Sequence, residues 1–229
     1  MKLASLRTIT ATAGALAVVA GLGAPAAADT IEVTFNSVSP NQSVRYSIDA
    51  GNSFDSTLGG TFNWTRTNGT YTGGGAVGDF SSFCIELTEF VSPTGSYTYD
   101  IVEVEDAPSS FFGGMGSVRA GKLARLFGQF HQETWTANEA AAFQVAVWEI
   151  THDDDGSVYT GTFQVSGSEA YIADAQSLID NIDPNGDRAT ILAMVGDDQQ
   201  DHVFLVPAPG ALALFGMGGA LMLGRRRRA

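Results

Sequence analysis

Apolar and polar residues alternate in short runs from Thr30 to Tyr99, as in Ile31-Glu32-Val33-Thr34-Phe35. Period two is the spacing of a strand with one buried face. The runs Val44 to Ile48, Gly60 to Trp64, Phe83 to Phe90 and Tyr97 to Val104 predict short strands, with turns at Asn52-Ser53, Asn68-Gly69 and Gly73-Gly74-Gly75. Beyond Met115 the period lengthens. Val118, Leu123, Leu126, Phe127 and Phe130 recur at helical spacing through His131, with Arg119, Lys122 and Arg125 between them. Thr136 with Glu139 three residues on forms a capping-box pattern and opens a second predicted helix, through Ala140 to about Thr151. Val158 to Val165 returns to strand character. Glu169 to Ile182 predicts a third helix with Ile172, Ala175, Leu178, Ile179 and Ile182 on one side, and Asp201 to Val206 predicts a last strand. No internal repeat is visible. The order of elements predicts an α+β fold: a mainly antiparallel sheet, as a sandwich or barrel, with a small helical subdomain inserted.

The two ends have a different pattern. Met1, Lys2, Leu3 and Arg7 precede the apolar run Ile9 to Leu22, which leads to Ala24-Pro25-Ala26-Ala27-Ala28. A basic start, a short apolar stretch and small residues at its end are the parts of a secretion signal, with cleavage expected after Ala28. At the other end Val206-Pro207-Ala208-Pro209-Gly210 is followed by the apolar run Ala211 to Gly224 and then by Arg225 to Arg228. As a helix, residues 211–224 rise about 21 Å against a hydrocarbon core of roughly 30 Å, a marginal span whose arginines would stay cytoplasmic. This three-part tail resembles the PEP-CTERM sorting signal of Gram-negative bacteria, in a Val-Pro-Ala-Pro-Gly form. The resemblance implies an exosortase-type sorting protease as partner, contact with the membrane during sorting, and a final place outside the cell or on its surface. The expected division is residues 1–28 as signal peptide, 29–205 as one α+β domain and 206–229 as sorting signal.

Removing the ends sharpens the charge. Lys2, Arg7 and Arg225 to Arg228 account for half of the 12 basic residues, so six basic residues face 25 acidic ones and the net charge falls from −13 to about −19. Such a surface repels nucleic acid and anionic lipid, which argues against nucleic acid as a partner.

Cys84 is the sole cysteine, so no intramolecular disulfide can form. In Phe83-Cys84-Ile85-Glu86-Leu87 a strand would place Phe83, Ile85 and Leu87 on one face and turn Cys84 and Glu86 away from the main core. In Phe143-Gln144-Val145-Ala146-Val147-Trp148, Gln144 and Trp148 share one helix face, so an aromatic ring would shield an amide. At these two segments the chain resembles the thioester domains of bacterial surface proteins. The resemblance implies that Cys84 condenses with Gln144 to form an internal thioester, with Glu86 and Trp148 supporting the site. It further implies acylation of an amine or hydroxyl on a protein or polysaccharide target, a single-use reaction without a cofactor.

Other readings compete for the same residues. A cysteine hydrolase needs a histidine base, for which His131, His152 and His202 are candidates; His131 and His152 read as exposed. Cys84 as a small apolar filler, with Gln144 to Trp148 as ordinary core, gives an inert matrix protein. Asp153-Asp154-Asp155-Gly156 and Asp183-Pro184-Asn185-Gly186-Asp187 carry oxygen ligands without the spacing of a full calcium loop, so they read as solvated acidic turns and no metal is expected.

Overall fold

The computed structural model describes residues 28–109 and 113–207. The signal sequence up to residue 27 and the tail from Ala208, including Pro209 and Gly210, lie outside the described residues, whereas Ala28, Val206 and Pro207 lie within them. Ala28 is exposed and immediately precedes the first strand. Among the described residues no helix is long and apolar enough to cross a membrane.

The strands are β1 (Asp29–Ser47), β2 (Asp55–Asn68), β3 (Asp79–Cys84), β4 (Ser96–Glu103), β5 (Gln164–Val165), β6 (Ile191–Val195) and β7 (His202–Leu205). Three α-helices, α1 (Gly116–Phe130), α2 (Ala137–His152) and α3 (Ala170–Asp180), fall in the chain between β4 and β6. Every strand pairing is antiparallel. The order β2-β3-β7-β6-β4-β1 closes through a β1–β2 pairing, giving a six-stranded barrel, with β5 added beside the end of β1. The fold is therefore α+β, and the sheet is a barrel. Closure removes the exposed edges that an open sheet of this length would carry.

Several sequence expectations are corrected. Instead of two short strands, β1 is one strand of 19 residues, carried past Ser37 and Asn41 by register shifts against β2. Such bulges bend a long strand around a small barrel without ending its ladder. The strand expected over Val158 to Val165 shrinks to Gln164–Val165, and β6 was not anticipated because five nearly continuous apolar residues show no alternation. Val118 is 78% exposed and leaves the apolar stripe of α1.

Strand β3 ends at Cys84, and Phe83, Cys84, Ile85 and Leu87 are all buried. Phe83 packs against Phe127, Trp135 and Phe143 under the helices. Ser82, two residues before Cys84 and on its face, accepts a 2.8 Å hydrogen bond from Trp64 Nε1. Cys84 thus points toward core instead of away from it: one face of β3 lies in the barrel and the other lies under a helical layer, so alternation no longer separates inside from outside.

Helix α2 is central. All residues from Ala140 to His152 are buried, as expected of a helix apolar around its circumference. Its start is fixed locally: Thr136 Oγ1 accepts from Glu139 N at 3.3 Å, and Glu139 Oε2 accepts from Thr136 N at 2.9 Å. Gly59 leaves room for the Val44 side chain across the β1–β2 pairing, since a Cβ there would collide with it.

Candidate functional site

The fold brings Cys84 and Gln144 together. The Gln144 side chain, fully buried on α2, accepts from Cys84 N through Oε1 at 2.9 Å and donates from Nε2 to Cys84 O at 2.7 Å. The β2–β3 ladder is in register as far as Phe62 opposite Ser82, so at Cys84 the glutamine amide takes the place of a strand partner. Pairing both atoms matters because a buried peptide group left without a partner costs about 1–3 kcal/mol.

On its other side Cys84 lies opposite His202 of β7. Since the Cys84 peptide groups go to Gln144, and Ile85 N bonds Asp201 O at 3.0 Å, Cys84 and His202 form a non-hydrogen-bonded pair, the closer kind, with their side chains on one face. His202 sits edge-on to Phe62 and Trp64, with ring centroids 4.6 and 5.0 Å apart. Both its ring nitrogens are buried without a hydrogen-bond partner, and burial pushes its pKa down to about 3. It is therefore held neutral and makes no hydrogen bond to the sulfur.

The Cys84 thiol is completely buried and donates to Glu86 O, while Glu86 N donates to Sγ at 3.3 Å. Burial raises its pKa, opposed by the Trp148 side chain and the Glu86 backbone and aided by the charges of Glu86 and Asp201. Although the Trp148 indole lies close enough to favour the thiolate, Nε1 is buried without a hydrogen bond of ordinary geometry. The ring packs beside Tyr46 and Phe163, at 6.3 and 6.5 Å between centroids. Glu86 is half-buried; its carboxylate accepts from Thr88 Oγ1 and its carbonyl from Gln200 Nε2 at 3.3 Å.

A cleft of about 260 Å³ opens beside the two residues that follow Cys84, lined in part by Ile85, Glu86, Glu89, Thr151, His152 and Asp201. Burial raises the Asp201 carboxyl to about 7, against the Gly196 N–H that it accepts at 3.0 Å. His152, expected to be exposed, is buried; its Nδ1 lies 2.8 Å from Thr151 Oγ1 and 3.1 Å from Trp148 O, and burial lowers its pKa to about 4. His131 is half-buried and stacks on Phe127 at 5.6 Å, again with its pKa lowered by burial.

One residue, Glu149, escaped the sequence reading, and His202, named there as a candidate base, was not placed opposite Cys84. His202 could not be paired with Cys84 without knowing the β3–β7 register. Glu149, a carboxylate between Trp148 and Ile150, is fully buried, and the visible signal was one acid inside an otherwise apolar helix. In comparisons with known proteins, no protein-family model, no curated protein and no solved structure matches this chain.

Proposed function

We propose that this is a secreted cell-surface or matrix protein whose thioester-domain-like fold joins Cys84 and Gln144 in an internal thioester and uses it for one covalent attachment. The observation that supports this reading most is the buried clamp of the Gln144 amide on the Cys84 backbone, which sets the acyl carbon beside the residue that bears the thiol. In the bond-forming step Sγ attacks Gln144 Cδ, the C–N bond breaks, and ammonia leaves with the thiol proton. An amine or hydroxyl of a target, entering by the cleft beside Ile85 and Glu86, then attacks Cδ and returns the proton to sulfur. The Trp148 ring excludes water from the acyl carbon, and secretion and tail sorting by an exosortase-type protease would deliver the domain to the surface of a Gram-negative-type cell.

A second reading is favoured by one observation: both polar atoms of the Gln144 amide are already satisfied, which explains its burial without any reaction. The protein would then be a non-reactive matrix component. Intact mass decides between them. The thioester protein weighs one ammonia less than its sequence, resists thiol labelling, and with methylamine adds the whole amine, ending one CH2 above the sequence mass with the thiol freed. Cys84→Ala abolishes these signals while keeping the peptide groups that bind Gln144. Full mass in amine-free protein overturns the thioester in favour of the matrix reading, and full mass with rapid labelling of Cys84 favours a hydrolase.

A further inference from the structure

At the C-terminal end of α2, away from the thiol, three carboxylates converge. One oxygen from each of Glu149, Asp153 and Asp155 lies within 4.8 Å of the others. Acidic residues gather on many surfaces, and this gathering alone carries no weight. What sets this one apart is Glu149, whose side chain is fully buried: Oε1 accepts from Gly156 N at 2.8 Å, while Oε2 has no hydrogen-bond partner. A buried carboxylate oxygen without a donor is expensive, and two neighbouring carboxylates add repulsion to that cost. Lys122 does not relieve it, because its ammonium pairs with Asp154.

We propose that Glu149, Asp153 and Asp155 bind a divalent cation of the calcium class. The donors are all hard oxygens, which match calcium and magnesium and not the softer transition metals. They come from a helix end and an irregular turn containing Gly156 and Gly161, a flexible frame that suits the variable geometry of calcium better than the strict octahedron of magnesium. Gly161 has φ +89°, and a Cβ there would collide with Asp153 Oδ2 and Asp155 Oδ2, so the chain keeps the space over both carboxylates free of side chain. Asp153 also accepts from the backbone N–H groups of Thr162 and Phe163, the latter at 3.1 Å. A bound cation would therefore tie the 156–163 turn to the helix that carries Gln144 and Trp148. This assignment is independent of whether a thioester forms.

Thermal unfolding of chelator-stripped protein, with calcium chloride added, tests it. Calcium at about ten times its Kd raises Tm by roughly 3 to 6 °C, and calorimetric titration gives one site per chain. Glu149→Gln and Asp155→Asn abolish the rise, whereas Asp183→Asn, in the other acidic turn, keeps it. No rise in the wild type, or a rise that survives Asp155→Asn, overturns the site as diffuse binding to an acidic surface. An equal response to magnesium chloride overturns the calcium class. If Glu149→Gln fails to fold, Asp155→Asn, which alters an exposed residue, still decides the outcome.

Discussion

Gln144 and Glu149 are both fully buried polar side chains on one helix, five residues apart, yet their surroundings differ in kind. The neutral amide meets one peptide unit and satisfies its acceptor and one donor there. The carboxylate meets one N–H and leaves an oxygen orphaned among two other acids. A single backbone strand end can balance a buried amide. A buried negative charge needs a positive one or a proton, and the fold places neither a lysine nor an arginine on it in the ion pairs of the described residues. The first arrangement stabilises the apo protein as it stands; the second is where a ligand has something to add.

Five substitutions, two of them followed across pH, bear on this contrast. Gln144→Ala should have the largest effect, roughly 2–5 kcal/mol in denaturant unfolding of protein without a thioester, because it strands the Cys84 N–H and C=O in the core. A loss below about 1 kcal/mol would mean that water or a strand shift replaces the amide.

Asp201 and His202 extend the comparison to adjacent residues with opposite pH behaviour. The carboxyl of Asp201 titrates near 7 in the fold and near 3.9 unfolded, so its contribution is present at acid pH and is lost as pH rises through about 7. His202 titrates near 3 in the fold and near 6.5 unfolded, so the native state takes up fewer protons and stability is lost as pH falls below about 6.5. Relative to wild type, Asp201→Asn should therefore gain stability between pH 4 and 7, and His202→Phe should gain it as pH drops from 6.5 to 4, each on the order of 2 kcal/mol. Parallel pH profiles for both variants would break the assignment.

Thr136→Ala removes the cap at the other end of α2 and should cost about 1 kcal/mol, a benchmark for an exposed hydrogen bond on the same helix. Glu149→Gln should have the smallest effect without added cation, within about 1 kcal/mol, since burial already raises the carboxyl to about 8 and the amide retains an acceptor for Gly156 N. A loss comparable with that of Gln144→Ala would show that the carboxylate is already balanced and that the two environments do not differ.

Much of the helical half was legible in the chain. The capping pattern of Thr136 and Glu139 fixed the start of α2 because it is satisfied by residues three apart, and Ile172, Ala175 and Ile179 marked the buried side of α3 for the same local reason. The Cys84 and Gln144 segments stood out as candidates for pairing, and the structure sets them in contact. The strand half was harder. Period two identifies a strand but not its neighbours, so β6, the unbroken β1 and barrel closure depended on pairings between residues as far apart as Phe83 and Val203.

By itself the sequence determined the periods of the helices and strands, the helix cap, the acidic balance and the uniqueness of the thiol, all of which follow from residue type and short spacing. Tertiary structure decided which surfaces are inside. Phe83 and Cys84 alternate as a strand requires, but helices cover one face and the barrel encloses the other, so both are buried. Glu149 and His202 read as polar until packing removed their water, because desolvation depends on everything that surrounds a group, and no local pattern in the chain records it.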